Sequence, residues 1–484
     1  MKILYYNWLP FDNARNEGGG VNIYQRNLIE ELVKDNSNDI YFLSSGWKHN
    51  PFKASAYIKE TENIFGGKCK SFEIINSPVP APAAVVFNDI KKYLNDEITL
   101  NLFEQFIEKH GGFDVIHINN IEGISINVLK IKEKYPGTKI ILSLHNYVPI
   151  CPLVQYFQNH NECICHNFDE GRECLNCAVW KISSKKYLLN IRHYLRDKTK
   201  IKAISGLLPY LFRFKASGYV SEKLVSTPAD FAEYRRKNIE YINKYVDCVL
   251  AVSDRVGKIA IKNGINSGIV KTSYIGTKFA QNAIGRPAAN INKEHFTIAY
   301  LGYARIDKGF YFMTDALQSL NPQTASRIKI KLAGAIHDRD IKNTLEHFKS
   351  VEIIKRYKHS ELPQILSDVN LGIVPVIWED NLPQVAIEMA ACGAPVLCSD
   401  FGGASELCSS GIFKFKGGDK KDFTEKLSAI VNNPDLLEKY WQNYTGLTTM
   451  EQHIKELFTF YTGGKIKCLT RTFAGKPQKE MRVG

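Results

Sequence analysis

Short runs rich in β-branched and aromatic residues alternate with stretches of helical periodicity in this chain, and no other feature limits its fold so sharply. KILYYNW opens the pattern. VNIYQRNLIEELVK follows, with Val21, Tyr24, Leu28, Ile29 and Val33 on one helical stripe. IYFLSSG, FDVIHINN and TKIILSLHN are further strand-like runs, the last two separated by the helical pattern SINVLKIKEKYP. Such alternation predicts a parallel sheet covered on both faces. The rhythm stops at Val148 and resumes near Glu240, where YVDCVLAVSDRVGKIAIKNG again reads strand then helix. It breaks once more in the polar GTKFAQNAIGRPAANINKEH. FTIAYLGY, GFYFMTDALQSL and IKIKLAGA restart it, and VEIIKRY, LGIVPVIW and APVLCSD continue it.

These breaks predict an α/β domain over 1–282 with an insertion at about 148–240, and a second α/β domain over 283–440. A helix over 441–462 is expected to return to the first domain, followed by a basic tail over 463–484. A length of 484 residues accords with two cores. Two doubly wound halves facing each other leave a cleft, and ligands of such sheets bind at the carboxyl ends of the strands.

Composition narrows the class. Hydrophobic content of 44% with 23% charged residues fits neither a disordered nor a fibrous chain. No apolar run approaches the ~20 residues of a membrane span, and MKILYYNWLP opens as a strand, not as a signal peptide. A cytoplasmic protein is expected. The net charge of +13 is concentrated, because residues 181–223 carry eleven Lys or Arg against Asp197 and Glu222. That stretch, interleaved with Leu, Tyr and Phe, suits an anionic membrane surface or an anionic acceptor, or else is a solvated insertion.

The sharpest local feature is PVIWEDNLPQVAIEMAACGAPVLCSDFGGASEL. A buried strand is expected to end at Trp378, with two acids and Asn381-Leu382-Pro383 leading into a helix. The exposed N–H groups and dipole of such a helix start attract anions. Asp380 lies at its mouth and Glu388 about two turns deeper, so one carboxylate can address a sugar and the other a ribose. As an isolated pair, Glu379 and Asp380 would read simply as helix caps.

The segment resembles the signature of family 4 glycosyltransferases (glycosyl transferases group 1, GT-B fold), in which two glutamates separated by seven residues precede a GxPV strand. Asp380-x7-Glu388 keeps the spacing with Asp in the first place, while Glu379 is one residue too far. Which of the two fills the first acid's role stays open. YLGYARIDKGFYF is similar to the family's strand–loop that brings basic groups to the donor diphosphate. Lys308 holds the lysine position before Gly309, Tyr303 stands where Arg is frequent, and Arg305 follows two residues on. Gly18-Gly19-Gly20 occupies the loop after the first strand, where glycine lets backbone approach a phosphate or sugar. His145 matches the family's cleft-facing histidine; His117 reads as core, and Asn119 replaces a common second His. GGASEL would place Gly403 near the donor, with Glu406 starting the next helix.

The resemblance implies an α/β fold of two facing Rossmann-like domains, and retaining transfer from a UDP- or GDP-sugar to a saccharide or lipid-linked acceptor in polysaccharide or glycoconjugate synthesis. The catalytic set would be Asp380, Glu388 and His145. The donor set would be Gly19, Gly20, Arg305, Lys308, Glu379, Asn381, Leu382, Pro383 and Gly403. No cofactor is required for that chemistry, since basic groups and a helix terminus supply the positive field. An epimerase or phosphorylase of the same fold is the alternative. The Asp380 and Tyr303 departures also admit an inactive scaffold. No RRM, KH or helix-turn-helix signature points to nucleic acid.

Five of the eleven cysteines are spaced Cys151-x11-Cys163-x-Cys165-x8-Cys174-x2-Cys177. In a reducing compartment this reads as a tetrahedral structural zinc site of Cys151, Cys163, Cys174 and Cys177, peripheral to the chemistry. Cys165 competes for the place of Cys163, His166 is near, and free thiols are the plain alternative. Asp338-Arg339-Asp340 matches a metal-binding DxD but sits where Asp caps a helix, and is set aside.

Overall fold

The computed structural model describes residues 1–12, 18–177, 184–199, 224–281, 295–341 and 345–464. Of the basic segment, Lys181, Lys200, Lys202, Arg213, Lys215 and Lys223 lie outside the described residues, as do most of the polar linker and the tail from 465.

The first sheet contains β1 (Lys2–Tyr6), β2 (Asp39–Ser45), β3 (Tyr57–Thr61), β4 (Cys69–Ile75), β5 (Val115–Ile118) and β6 (Lys139–Leu144). A short hairpin of β7 (Phe157–Gln158) and β8 (Cys163–Ile164) interrupts it before β9 (Cys248–Ala251) and β10 (Val270–Thr272) complete it. The order is β10-β9-β6-β5-β1-β2-β4-β3, parallel throughout except for β3, which runs antiparallel to β4 at the edge. The second sheet is β11 (Phe296–Tyr303), β12 (Ile328–Ala335), β13 (Ser350–Ile354), β14 (Leu371–Val374), β15 (Val396–Ser399) and β16 (Lys414–Phe415). It is wholly parallel, in the order β13-β12-β11-β14-β15-β16. In each sheet the direction of winding reverses beside the first strand, between β1 and β5 and between β11 and β14. The crevice outside such a reversal is where open α/β sheets bind ligands.

The central strands are apolar on both faces because helices cover both. Ile3 to Tyr6 are all buried, as are Leu371 to Val374. The strand expected to run to Trp378 stops at Val374, because Pro375 has no N–H for the ladder. SINVLKIKEKYP forms only a 3-10 stretch, Ile126–Lys130, and one α-turn, Ile131–Lys134. The basic Ser184–Thr199 helix lies over the ends of the first sheet, where Asn190 donates to Gly46 O at 3.0 Å and Lys48 pairs with Asp197 at 2.6 Å.

The chain crosses between the two sheets twice, and the crossings are laced together: Thr277 N donates to Thr448 O at 3.1 Å, and Thr277 bridges Thr449 in parallel. A capping box of Thr449 and Gln452 then starts the Met450–Thr462 helix. That helix packs on the first sheet. Tyr461 OH lies 2.6 Å from His117 Nδ1 and 3.1 Å from Tyr5 OH, and His453 Nε2 lies 2.7 Å from Tyr24 OH. His117 also bonds Ser143 Oγ at 2.8 Å, so it is a buried structural bridge.

Candidate active site

Two loops meet outside the β11/β14 reversal. The first, after β11, carries Arg305, Asp307 and Lys308, and ends at Gly309, which opens the Phe310–Gln318 helix with φ +69°. A Cβ at Gly309 would lie 1.6 Å from Pro375 O, so only glycine lets this loop press against the second. The second loop runs from Pro375 to Pro383, which caps the buried Gln384–Ala391 helix. Ile377 N donates to Asp307 O at 3.2 Å across the junction.

The charged groups of both loops are paired in place. Lys308 Nζ lies 2.7 Å from Asp380 Oδ2 and 4.9 Å from the centre of the Trp378 ring. Arg305 forks onto Asp307 with two contacts of 2.9 Å, and Asp307 also accepts from Gln155 Nε2 at 2.8 Å. Glu379, 1% exposed, points away from Lys308 toward Arg255 of the Asp254–Lys262 helix: Arg255 Nε donates to its Oε2 at 2.9 Å and Arg255 Nη2 meets its Oε1. Gly402 N donates to the same Oε2 at 2.9 Å. Asn381 faces the first sheet, its Nδ2 donating to Leu144 O at 3.3 Å. Leu382 and Gly403 line a small apolar cavity with Ile275, Ile387 and Leu407.

Glu388 lies about one turn into the Gln384–Ala391 helix, with few polar neighbours. Burial pushes its carboxyl up to about 7. Its neighbour is His359 Nδ1 at 3.3 Å, a ring that burial holds below its usual value, so the pair shares a proton more readily than it holds two charges. A buried acid of raised pKa is a functional-site signature.

The family described as Glycosyl transferases group 1 matches residues 282–445. This part of the chain belongs to the group 1 glycosyl transferases. An uncharacterised glycosyltransferase of Methanocaldococcus jannaschii is 23% identical over 215 residues, which is 44% of this chain. The match spans about half, 55%, of that relative. Among solved structures, sucrose-phosphate synthase of Thermosynechococcus elongatus aligns with TM-score 0.57 and 15% identity, covering 96% of this chain and 98% of that one. HepE of Anabaena, in complex with UDP and glucose, aligns with TM-score 0.53 and 13% identity over 96% of this chain and 100% of that one. These likenesses show the GT-B fold.

The first sheet faces the group 1 domain through the Gly19–Leu32 helix. Gln384 Nε2, at the start of the Gln384–Ala391 helix, donates to Gly20 O at 2.9 Å, and a Cβ on Gly20 would meet the Gln384 side chain at 3.2 Å. Two helix starts therefore meet here, Gly19 and Gly20 on one side and Pro383 and Gln384 on the other. His145 follows β6 at this end of the sheet, its ring centre 4.9 Å from that of Tyr24. Burial, with His453 nearby, pushes it down to about 3, and its Nε2 is buried without a partner. It is therefore neutral near pH 7 and holds an unused ring nitrogen. The DxD match is a capping turn: Asp340 accepts from His337 N at 2.8 Å, and Asp338 pairs with Lys355 at 2.9 Å.

The cysteine-bearing insertion lies beside the group 1 domain. Cys151, Cys165, Cys174 and Cys177 line one small cavity with Arg235. The β7–β8 hairpin decides which cysteine joins. Cys163 is exposed, while Cys165, two residues on, is buried in the cavity. Arg235 is 5% exposed, lies 4.0 Å from Cys165 Sγ and 3.9 Å from Cys174 Sγ, and covers the Phe168 ring at 4.1 Å. Cys163 instead bonds Gln158 Oε1 at 3.6 Å. Among the described residues, no three His, Cys, Asp or Glu side chains are arranged to hold a metal ion.

Sequence reasoning did not single out Arg255, Asp307 or His359, and read Trp378 only as a strand end. Arg255 follows a strand end in AVSDR, a weak cue. Nothing local marks His359, which meets Glu388 only through the fold.

Proposed function

We propose that the protein is a retaining glycosyltransferase that moves a sugar from a nucleotide-diphosphate-sugar, with UDP the favoured nucleotide, to a saccharide or lipid-linked acceptor. One observation carries the reading: Lys308 and Asp380 of the group 1 domain pair outside the β11/β14 reversal, beside the N-terminus of the Gln384–Ala391 helix, whose next turn carries Glu388. In transfer, the acceptor hydroxyl oxygen bonds to the anomeric carbon, on the face the diphosphate leaves, as the bond from that carbon to the diphosphate oxygen breaks, and the hydroxyl's proton passes to the departing diphosphate. The electron pair leaves with the diphosphate. Lys308 and the helix terminus stabilise that growing charge. Arg305 joins them by leaving Asp307. Asp380 positions Lys308 and the sugar hydroxyls, and Glu388 takes the ribose. His145, neutral with a free ring nitrogen, faces the sugar from the first sheet. Support for UDP is that HepE is described in complex with UDP and with UDP-glucose.

A lipid-linked acceptor is supported by the Ser184–Thr199 helix, which exposes Leu189 and Arg192 on its outer side. Among the described residues no helix is long and apolar enough to cross a membrane. The deciding experiment is a panel of UDP-, GDP- and dTDP-sugars scored by thermal shift and by acceptor-free hydrolysis. Stabilisation by one nucleotide class with slow release of its sugar is the expected result. Interconversion of the sugar without release marks an epimerase, and no response to any donor rejects the proposal.

A further inference from the structure

The three residues Glu379, Asp380 and Asn381 form the loop at the centre of the donor site, yet the first sheet's side of the molecule fixes much of their geometry. The Asp254–Lys262 helix starts directly against them. Its N-cap Ser253 donates through Oγ to Asn381 O at 2.7 Å, and its Arg255 forks onto the buried Glu379 carboxylate. From the other side, Glu406 reaches back to the same helix start, accepting from Asp254 N at 3.0 Å and Arg255 N at 2.8 Å, with Tyr274 OH donating at 2.6 Å. A carboxylate over free N–H groups at a helix start is favourable on charge as well as hydrogen bonding. Both segments of the second domain that contact this helix, 379–381 and 402–406, are joined to each other. Gly402 N donates to Glu379, and Gly403 N donates to Asp380 O at 2.9 Å. A Cβ on Gly403 would lie 2.4 Å from Asn381 O and 2.8 Å from Ser253 Cβ, so the three segments touch without slack.

We infer that Arg255 is a positioning residue of the donor site: contributed by the N-terminal domain, it holds the buried Glu379 away from Lys308, and so presents the adjacent Asp380 to Lys308 and to the donor. Asp380 N donates to Trp378 O at 2.8 Å, a tight turn centred on Glu379, so with the Glu379 carboxylate gripped by Arg255 and Gly402 N the neighbouring Asp380 is turned to Lys308. Glu379 is then a strut and not the catalytic acid. Donor binding and the seating of the two domains become one event, because the loop that reads the donor is the loop the other domain grips. This rests on the donor-site reading above.

The test is titration of UDP and GDP into the full chain by calorimetry, using the unmodified protein, R255A, R255K, E379Q and the R255A/E379Q pair. R255A should weaken the nucleotide that binds by about tenfold, as should E379Q, and the pair should be no weaker than the poorer single variant, because coupled residues are not additive. R255K should recover only part of the loss, since an ammonium cannot fork onto both carboxylate oxygens. Arg255 is partly exposed, so R255A tests the idea even where E379Q folds poorly. If the unmodified chain binds a nucleotide and R255A binds it equally well, or if the two losses multiply, the inference is overturned alone. If the unmodified chain binds neither nucleotide, the donor-site reading falls and this inference with it.

Discussion

Replacing Glu388 by Gln should stabilise the protein, by an amount that depends on pH. Burial raises the Glu388 carboxyl from 4.5 to about 7 in the folded chain, while the unfolded chain ionises near the ordinary value. Between those two values the folded state holds a proton that the unfolded state has lost. Stability is therefore greatest below the lower value and falls as pH rises toward about 7. A shift of that size corresponds to about 3 kcal/mol once the carboxylate is forced to ionise in place. Gln has nearly the same volume, can still meet His359, and carries no charge at any pH. Urea unfolding of both proteins at several values between pH 4 and pH 8 measures the gap. At the acid end the curves should coincide within about 0.5 kcal/mol, and at the alkaline end the Gln variant should be more stable by up to about 3 kcal/mol. The same variant should lose donor affinity, as expected where stability is given up for a binding carboxylate. A gap that stays constant across the range refutes the buried, proton-holding carboxyl.

Other tests address the remaining parts. Lys308→Ala should weaken nucleotide-diphosphate binding by about 1.5–3 kcal/mol, measured by calorimetry with thermal unfolding as the folding control; unchanged affinity removes Lys308 from the clamp. Asp380→Asn should lower turnover far more than Glu379→Gln relative to nucleotide affinity, and equal effects on turnover would reject Asp380 as the first acid. Alkylation followed by mass spectrometry should label Cys163 first among the five clustered cysteines, because the other four are buried. If elemental analysis of the same sample shows zinc, Cys165→Ser and not Cys163→Ser should abolish it. Binding to vesicles of anionic lipid, reversed by salt, is expected for the Ser184–Thr199 helix; equal binding to neutral vesicles would leave a soluble acceptor.

The doubly wound architecture was legible because both-faces-buried strands and amphipathic helices leave opposite periodicities in the sequence, and the motifs around Lys308, Asp380 and Glu388 sit at strand-to-helix joins that such sheets always form. Spacing alone could not separate Glu379 from Asp380. What distinguishes them is Arg255, 124 residues earlier, whose guanidinium engages Glu379 only after the two sheets are set side by side. The choice between Cys163 and Cys165 likewise depends on tertiary geometry: in a continuous strand the two would share a face, but the strand ends at Ile164 and the chain turns at Cys165, where His166 N donates to Ile164 O at 2.9 Å. PVIW carries strand-forming side chains, yet β14 ends at Val374 because Pro375 cannot donate to a ladder. His359 was invisible because a single histidine before a helix carries no periodic or spacing signal.

The Met450–Thr462 helix has a bearing on how the molecule comes into being. It supplies Tyr461 and His453 to the interior of the first sheet, where Tyr5, Tyr24 and His117 wait with their polar atoms turned inward. On the ribosome, residues 1–275 emerge long before residues 450–462 do. The first sheet must therefore stand with an uncovered, polar-lined face while the whole second sheet is made, and its core closes only when the returning helix arrives. Order of synthesis and order of completion are thus reversed: the domain begun first is finished last. The laced pair of segments at Thr277 and Thr449 is then the seam left by that final step.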